Sequence, residues 1–429
     1  MRHPALKDVA HFVHSHLAVL LGFWIFLAYV LAHFQIYQAD QNLLDSRLES
    51  LAVAHSIANT GDFANPFYSM GTGPTAHLAP IYPGILACIL YFWGEGPSAV
   101  LAVKWLTILL VASQAALLPA ISIRLKLGYL PGVLAASAIL IGDYQAYLWE
   151  ANLTGALILI AVFPMLSVLQ QKSVNTTPVV LGVIWGVALL VSPVPALVFV
   201  AWLLWTLLKG YLDLRQLASL AIALTLTLMP WTIRNRVEMG HFIFVRDNLG
   251  LELAQFYCDC AKFSARLNTI TNCSVGPNGV KQEAQAVVAM GEVEYNKKKI
   301  AEAISWARRN THSAVLLTLQ RIGAFWFPTD TGRLEDATAG DVILWIATPL
   351  SIPGLWLIYR KDRTIGTNFL LWIVFFPPIY YAIGQGRRSR YPILWVTLLP
   401  AAFFLCSLFE GRLPRSKSGG MLETESDDV

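Results

Sequence analysis

The segment APIYPGILACILYFW, residues 79–93, decides how this chain is threaded. It is apolar, carries Pro80 and Pro83 at its start, and stops at Gly94-Glu95-Gly96-Pro97. A helix needs about 20 apolar residues to cross a hydrocarbon core of about 30 Å, so this one reads as a re-entrant or interfacial helix. Charge agrees. If residues 79–93 do not cross, Arg124, Lys126, Lys172, Lys209 and Arg215 all fall on the cytoplasmic side, as the positive-inside rule prefers; if they cross, all fall outside.

Working outward, apolar runs at about 17–36, 98–122, 129–142, 152–170, 178–193, 195–210, 214–230, 342–359, 367–384 and 392–409 read as spans. The chain of 429 residues is 56% hydrophobic and only 14% charged, with mean hydropathy +0.54. A soluble protein carries nearly twice that charged fraction, so the expectation is an all-α integral membrane bundle of about ten spans. The run from Leu17 to Ile36 is too long for a signal-peptide core and lacks a small-residue cleavage site. Arg2 and Lys7 place the amino terminus in the cytoplasm, and Arg360 to Arg363 with Arg412, Arg415 and Lys417 place the carboxyl end there too. Positive-inside loops account for the net charge of +4, which gives no reason to expect nucleic acid.

The expected organisation is an N-terminal transmembrane module, 1–230, whose first loop is 37–97, then an extracytoplasmic region, 231–312. A C-terminal transmembrane module, 313–410, and a disordered cytoplasmic tail, 411–429, complete it. Within these, 313–327 reads as a second surface-lying helix interrupted by Arg321, and 281–309 as a helical stretch with Glu294/Lys298 as an i,i+4 pair. No internal repeat is visible. Cys88 and Cys406 lie in apolar runs as packing residues. Cys258, Cys260 and Cys273 share one polar loop and predict one disulfide to Cys273 with a thiol left over; their spacing matches no common zinc pattern. The sequons at Asn152, Asn175 and Asn272 do not share one side of the membrane and read as chance matches.

In the first loop, Leu44, Leu48 and Leu51 fall at helical spacing, which predicts a short interfacial helix. Asp45 and Glu49 then lie on one row of that helix. Ionisable residues are scarce inside the spans, Lys104 excepted. A transporter or flippase for lipid-linked saccharides, the alternative reading, would place carboxylates or histidines near the midplane. Here they gather at the outer interface: Asp45, Glu49, His77, Asp143, Glu150, Arg234, Arg236, and the strip Arg387, Arg388, Arg390, Tyr391. Arginine forks bind phosphate oxygens, and a carboxylate can take a proton from an attacking hydroxyl. That combination suits an enzyme acting on an anionic lipid. The structural readings are a turn histidine at His77, a proline-fixed bend at Tyr82, and snorkelling side chains at Arg234 and Arg236.

The same residues carry a resemblance. Asp45, Ala52 and Pro80-Ile81-Tyr82-Pro83 form one signature. Pro230, Trp231, Arg234 and Asn235 form a second, followed by Gly240 and by Asn248-Leu249-Gly250-Leu251-Glu252-Leu253. Arg390-Tyr391-Pro392 form a third. In this order along the chain, they resemble the GT-C superfamily of polyprenyl-phosphate-sugar-dependent glycosyltransferases, in the branch of protein mannosyltransferases and aminoarabinose transferases. The resemblance implies inverting transfer of a sugar from a polyprenyl-phosphate donor to an acceptor lipid, glycan or protein at the outer face of the cytoplasmic membrane. It makes Asp45 the base or acceptor-positioning group, with Glu49 beside it. Asp143, Glu150, His77, Tyr82, Arg234, Arg236, Arg388, Arg390 and Tyr391 are then candidates for substrate binding. It leaves divalent-metal use open, since some members need a metal and others do not. Where relatives have a Ser/Thr-Glu pair, this chain has Thr154-Gly155, a departure that keeps a non-catalytic scaffold role in view. The sequence shows no separate C-terminal soluble domain, which sets the expectation apart from oligosaccharyltransferase-like members.

Overall fold

The computed structural model describes residues 4–33, 43–171, 176–273, 276–384 and 386–409, with side chains from residue 16 onward. The expectations for Arg2, the Lys7 side chain, Asp40 in the first loop, Lys172, the Asn175 sequon and the 411–429 tail lie outside the described residues.

Among the described residues, nine helices form the first part: α1 (Pro4–Ala32), α2 (Glu49–Thr60), α3 (Ile81–Trp93), α4 (Pro97–Arg124), α5 (Tyr129–Gly142), α6 (Ala151–Leu169), α7 (Thr177–Val191), α8 (Ala196–Leu208) and α9 (Leu214–Met239). Then come α10 (Leu249–Phe256), α11 (Ala265–Ile270), α12 (Lys281–Met290) and α13 (Glu292–Arg309). The chain closes with α14 (Thr311–Trp326), α15 (Ala339–Lys361), α16 (Arg363–Phe375), α17 (Pro378–Ala382) and α18 (Leu394–Phe409), a 3-10 stretch Arg387–Ile393 leading into the last. Among the described residues there is no strand; an isolated antiparallel bridge joins Ala64 and Pro74.

Among the described residues, six helical segments are long and apolar enough to cross a membrane: Pro97–Arg124, Ala151–Leu169, Leu214–Met239, Ala339–Lys361, Arg363–Ala382 and Arg387–Phe409. Five further apolar helices, with α1 taken only from His16, are shorter, at 10–17 residues. The protein is therefore an all-α integral membrane protein. One of the short helices is α3, whose 13 residues rise about 20 Å, less than a hydrocarbon core.

Local signals explain where the long helices start. Asp213 accepts from the Gln216 backbone N–H, and the Gln216 side chain answers the Asp213 N–H, a reciprocal cap that opens α9. Thr338 and Asp341 do the same for α15. Inside the bundle, Trp185 stacks on Phe199 at 4.4 Å and lies 6.2 Å from Trp372, which meets Trp395 edge-on at 5.6 Å. These large rings are fully buried and form the apolar centre. At Gly354, a Cβ would run into the Pro400 carbonyl, so α15 and α18 approach to backbone contact only because that residue has no side chain.

Three expectations are corrected. The helix predicted from Leu44 begins at Glu49, and Asp45 ends a separate 3-10 turn, Leu43–Asp45, so the two carboxylates do not share a helix row. The α9 helix continues through Pro230 to Met239. A proline inside a helix removes only its own N–H bond and strains one turn, which a membrane helix tolerates. Finally, Glu294 pairs with Lys297 at 2.6 Å, while Lys298 faces Glu302. Cys260 and Cys273 form the disulfide, leaving Cys258 free as expected; Cys406 is buried, whereas Cys88 is exposed.

Candidate active site

The site is assembled on residues 75–77, which sequence separates widely from what holds them. Buried Glu292, the first residue of α13, accepts hydrogen bonds from the Thr75 hydroxyl and, at 2.8 Å, from the Ala76 N–H. The Ala76 carbonyl in turn accepts from the Asp247 N–H at 2.7 Å. Arg234 completes the clamp: one guanidinium nitrogen donates to the Thr75 carbonyl at 2.6 Å and another to that of Phe63 at 2.7 Å. Its planar group also lies over the Trp231 and Phe63 rings. The neighbours of Arg234 do similar work. Trp231 donates to the Val245 carbonyl at 2.7 Å, and Asn235 to that of Ile243 at 3.0 Å. The Pro-Trp-x-x-Arg-Asn signature is thus a set of side chains gripping main-chain carbonyls, and it fixes the segment that delivers Arg246.

So held, His77 is 1% exposed, packs edge-on against Phe67, and sets Nε2 3.2 Å from the Glu49 carboxylate. Charge attraction is the larger part of that contact. Burial pushes the His77 pKa down, but Glu49 and Glu292 outweigh it and the net shift is upward. Burial pushes Glu49 up, but His77, with Arg246 and Arg388, outweighs it and the net shift is downward. Both shifts favour the charged forms of the two groups.

Beside this pair lies a polar cavity of about 110 Å³, lined by Glu150, Arg246, Glu252, Tyr380 and Arg388 among others. Arg246 stands 3.9 Å from Glu150 and donates through Nε to Asn248, whose amide donates to Glu252 at 3.2 Å. Burial, with repulsion from Glu49, raises the Glu252 pKa. Arg388 stacks on the Trp149 ring with its guanidinium 3.4 Å from the ring centre, and among the described residues it makes no ion pair. A guanidinium so placed keeps its in-plane N–H donors for an anion. Gly155 is explained by packing. A Cβ there would meet the Gln114 side-chain carbonyl and press on the Pro392 Cα at 3.2 Å, so a side chain at the position that departs from the resembled pattern requires Gln114 to move.

Of the residues singled out from sequence, the structure brings together Glu49, His77, Glu150 and Arg388, with the buried Tyr82 sensing the Glu150 charge. Asp45 is exposed and makes no ion pair among the described residues. Asp143 joins a second polar group, 3.2 Å from His33 Nε2 and accepting from Gln145. Arg236 is exposed and donates to the Gly240 carbonyl. Arg390 is 1% exposed and donates to the Trp326 carbonyl and to the Thr348 and Thr397 hydroxyls, while Tyr391 meets Tyr144 edge-on. Asn152 is buried, and its amide bridges Tyr144 and Ala146, which occupies that sequon internally.

Sequence reasoning missed Arg246, Glu252 and Glu292. Glu252 lay inside a signature that had been noticed, the Asn248–Leu253 run, but charged residues in a polar segment are ordinary. Only the contact between Glu292 and residues 75–76, across 216 positions or more, makes them part of a site. For a divalent metal, the acidic side chains offer no converging set; among the described residues only Cys258, Cys260 and Cys273 bring three ligand-type atoms together.

No protein-family model matches this sequence, and no curated protein matches it significantly. Solved structures do share its fold. The oligosaccharyltransferase of Archaeoglobus fulgidus, a GT-C glycosyltransferase, superposes in its apo form with a TM-score of 0.51 at 14% identity, over 95% of this chain and 51% of that one. Its complex with zinc and sulfate gives 0.51 at 14%, over 93% and 49%. The archaeal oligosaccharyltransferase from the same organism with an inhibitory peptide and a dolichol-phosphate gives 0.50 at 12%, over 97% and 53%. This chain therefore spans about half the length of those proteins, and identity this low establishes likeness of fold alone.

Proposed function

We propose that this protein is a membrane glycosyltransferase that moves a sugar from a polyprenyl-phosphate donor to an acceptor lipid, glycan or protein at the outer face of the cytoplasmic membrane. The observation that carries the reading is Arg388: a guanidinium stacked on Trp149, without an ion-pair partner among the described residues, at the wall of a cavity shared with Arg246 and two glutamates. In this reading the donor phosphate sits against Arg388 and Arg246. The acceptor oxygen attacks the anomeric carbon from the opposite side, and the bond to phosphate oxygen breaks with inversion. The leaving phosphate keeps the electron pair and the arginines stabilise its charge. Asp45, exposed and free of ion pairs among the described residues, takes the acceptor proton, while Glu49, whose charged form His77 favours, orients the acceptor. An apolar groove of about 610 Å³ bordered by Ile352, Leu355, Trp356 and Ile373 has the chemistry an isoprenoid chain needs. Ten spans, cytoplasmic termini and an extracytoplasmic 231–312 region complete the proposal.

The test is transfer from radiolabelled polyprenyl-phosphate sugars in proteoliposomes. Arg388→Ala is expected to lower turnover by about 10²–10³-fold and to weaken donor binding. Asp45→Asn is expected to abolish turnover while donor still binds. Undiminished turnover in both variants overturns the assignment.

A further inference from the structure

The leftover cysteine has a definite place. The free Sγ of Cys258 lies 3.7 Å from that of Cys260 and 3.8 Å from that of Cys273, beside the bond that joins them. The proposed transfer reaction uses none of the three. We propose that they form a thiol–disulfide exchange site, in which the Cys260–Cys273 bond converts to Cys258–Cys273 and presents Cys260 as a thiol open to modification by small thiols and disulfides.

The step balances within the chain. Cys258 gives its proton to water, and its thiolate forms a bond to Cys273 Sγ. The Cys260–Cys273 bond breaks, its electron pair leaves with Cys260, and that thiolate takes up a proton; no oxidant or reductant is consumed. The direction follows from burial. Cys273 is buried and Cys260 is exposed, so expelling Cys260 puts the leaving thiolate in water, whereas expelling Cys273 would strand one inside. The two closed loops differ little, with sequence separations of 13 and 15, so chain entropy does not separate the isomers. Because Cys258 stands beside the bond, an in-line attack requires its side chain to rotate. Burial also raises the Cys258 thiol pKa, so exchange is slow at neutral pH and quickens with alkalinity.

The site is wired to both walls of the polar cavity. Cys258 follows α10, which carries Glu252, by two residues. At the other side, Ser264 of the bridged loop donates to the Asp330 carbonyl at 2.5 Å, and the Asp330 carboxylate accepts from the Arg387 N–H, next to Arg388.

The experiment uses the full chain in detergent, held at about pH 5 or about pH 8.5 without added thiol, quenched in acid, alkylated and mapped by peptide mass spectrometry. The expected result is label on Cys258 and not on Cys260 at the lower pH. At the higher pH, label appears on both, together with a Cys258–Cys273 cross-linked peptide. A Cys258→Ser chain should keep its disulfide and show no change with pH. A Cys260→Ser chain, treated with oxidised glutathione, should close Cys258 to Cys273 within the chain. Label confined to Cys258 at both pH values overturns the proposal, as does a Cys260→Ser chain whose two thiols stay free or pair only between molecules.

Discussion

Replacing His77 by glutamine removes one charge of the Glu49–His77 pair and keeps a hydrogen-bond donor of similar reach. At the observed 3.2 Å and an effective dielectric constant of about 20, the attraction lost is roughly 5 kcal/mol. Desolvation of the two groups offsets part of it, and single removals from buried pairs cost about 3–5 kcal/mol. Glu49 keeps 23% side-chain exposure, and the glutamine amide restores some bonding, so the expected loss is about 2–3 kcal/mol. The pH profile adds a sharper signature. In the wild type, the stability from raised His77 is full below its unfolded value and is lost as pH rises through its folded value. That from lowered Glu49 is full above its unfolded value and is lost as pH falls through its folded value. The pair thus stabilises between these two limits. In His77→Gln the alkaline limb disappears, and the acidic limb shrinks, because the largest opposing charge on Glu49 is gone and only Arg246 and Arg388 remain to hold its pKa down against burial. Detergent-denaturation titrations from pH 4 to 9, read by tryptophan fluorescence, check both features. A variant as stable as the wild type near pH 6, with both limbs unmoved, would refute the reasoning.

Arg234→Lys should cost about 1–3 kcal/mol, because one ammonium cannot reach the Thr75 and Phe63 carbonyls together; thermal inactivation of purified protein reads the loss. Gly354→Ala should cost about 1–3 kcal/mol or more by forcing α15 off the Pro400 carbonyl, measured as reduced recovery of monodisperse protein after heating.

The parts of the fold that reveal themselves in sequence are those decided by local apolar length. The α5 helix occupies 129–142 as read, and α4, α6 and α16 start within a few residues of the expected positions. The short α3 also fits the Gly/Pro boundaries that set it apart. Periodicity failed at Asp45, where leucines at helical spacing continue across the break at 46–48. Those leucines meet in one apolar cluster, Leu44 and Leu48 packing against the core that holds Leu51, so tertiary burial satisfied the pattern without a continuous helix. It failed again at Pro230, a weak stop signal inside a membrane helix. At the site, Glu49, His77, Glu150 and Arg388 were found because acid and base are conspicuous beside apolar spans. Arg246 and Glu252 sit in a segment already rich in charge, and only folding brings them against the first loop.

The clamp around residues 63, 75, 243 and 245 grips main-chain carbonyls, and a carbonyl is the same whichever amino acid bears it. Along these four bonds, identity is therefore constrained on the donor side only. Trp231, Arg234 and Asn235 must keep their identities for the architecture to hold, while burial alone limits the side chains at Ile243 and Val245; Thr75 and Phe63 answer separately to Glu292 and to the Arg234 plane. The loop that carries residues 243 and 245 can thus exchange one apolar side chain for another with no compensating change in the helix that supports it.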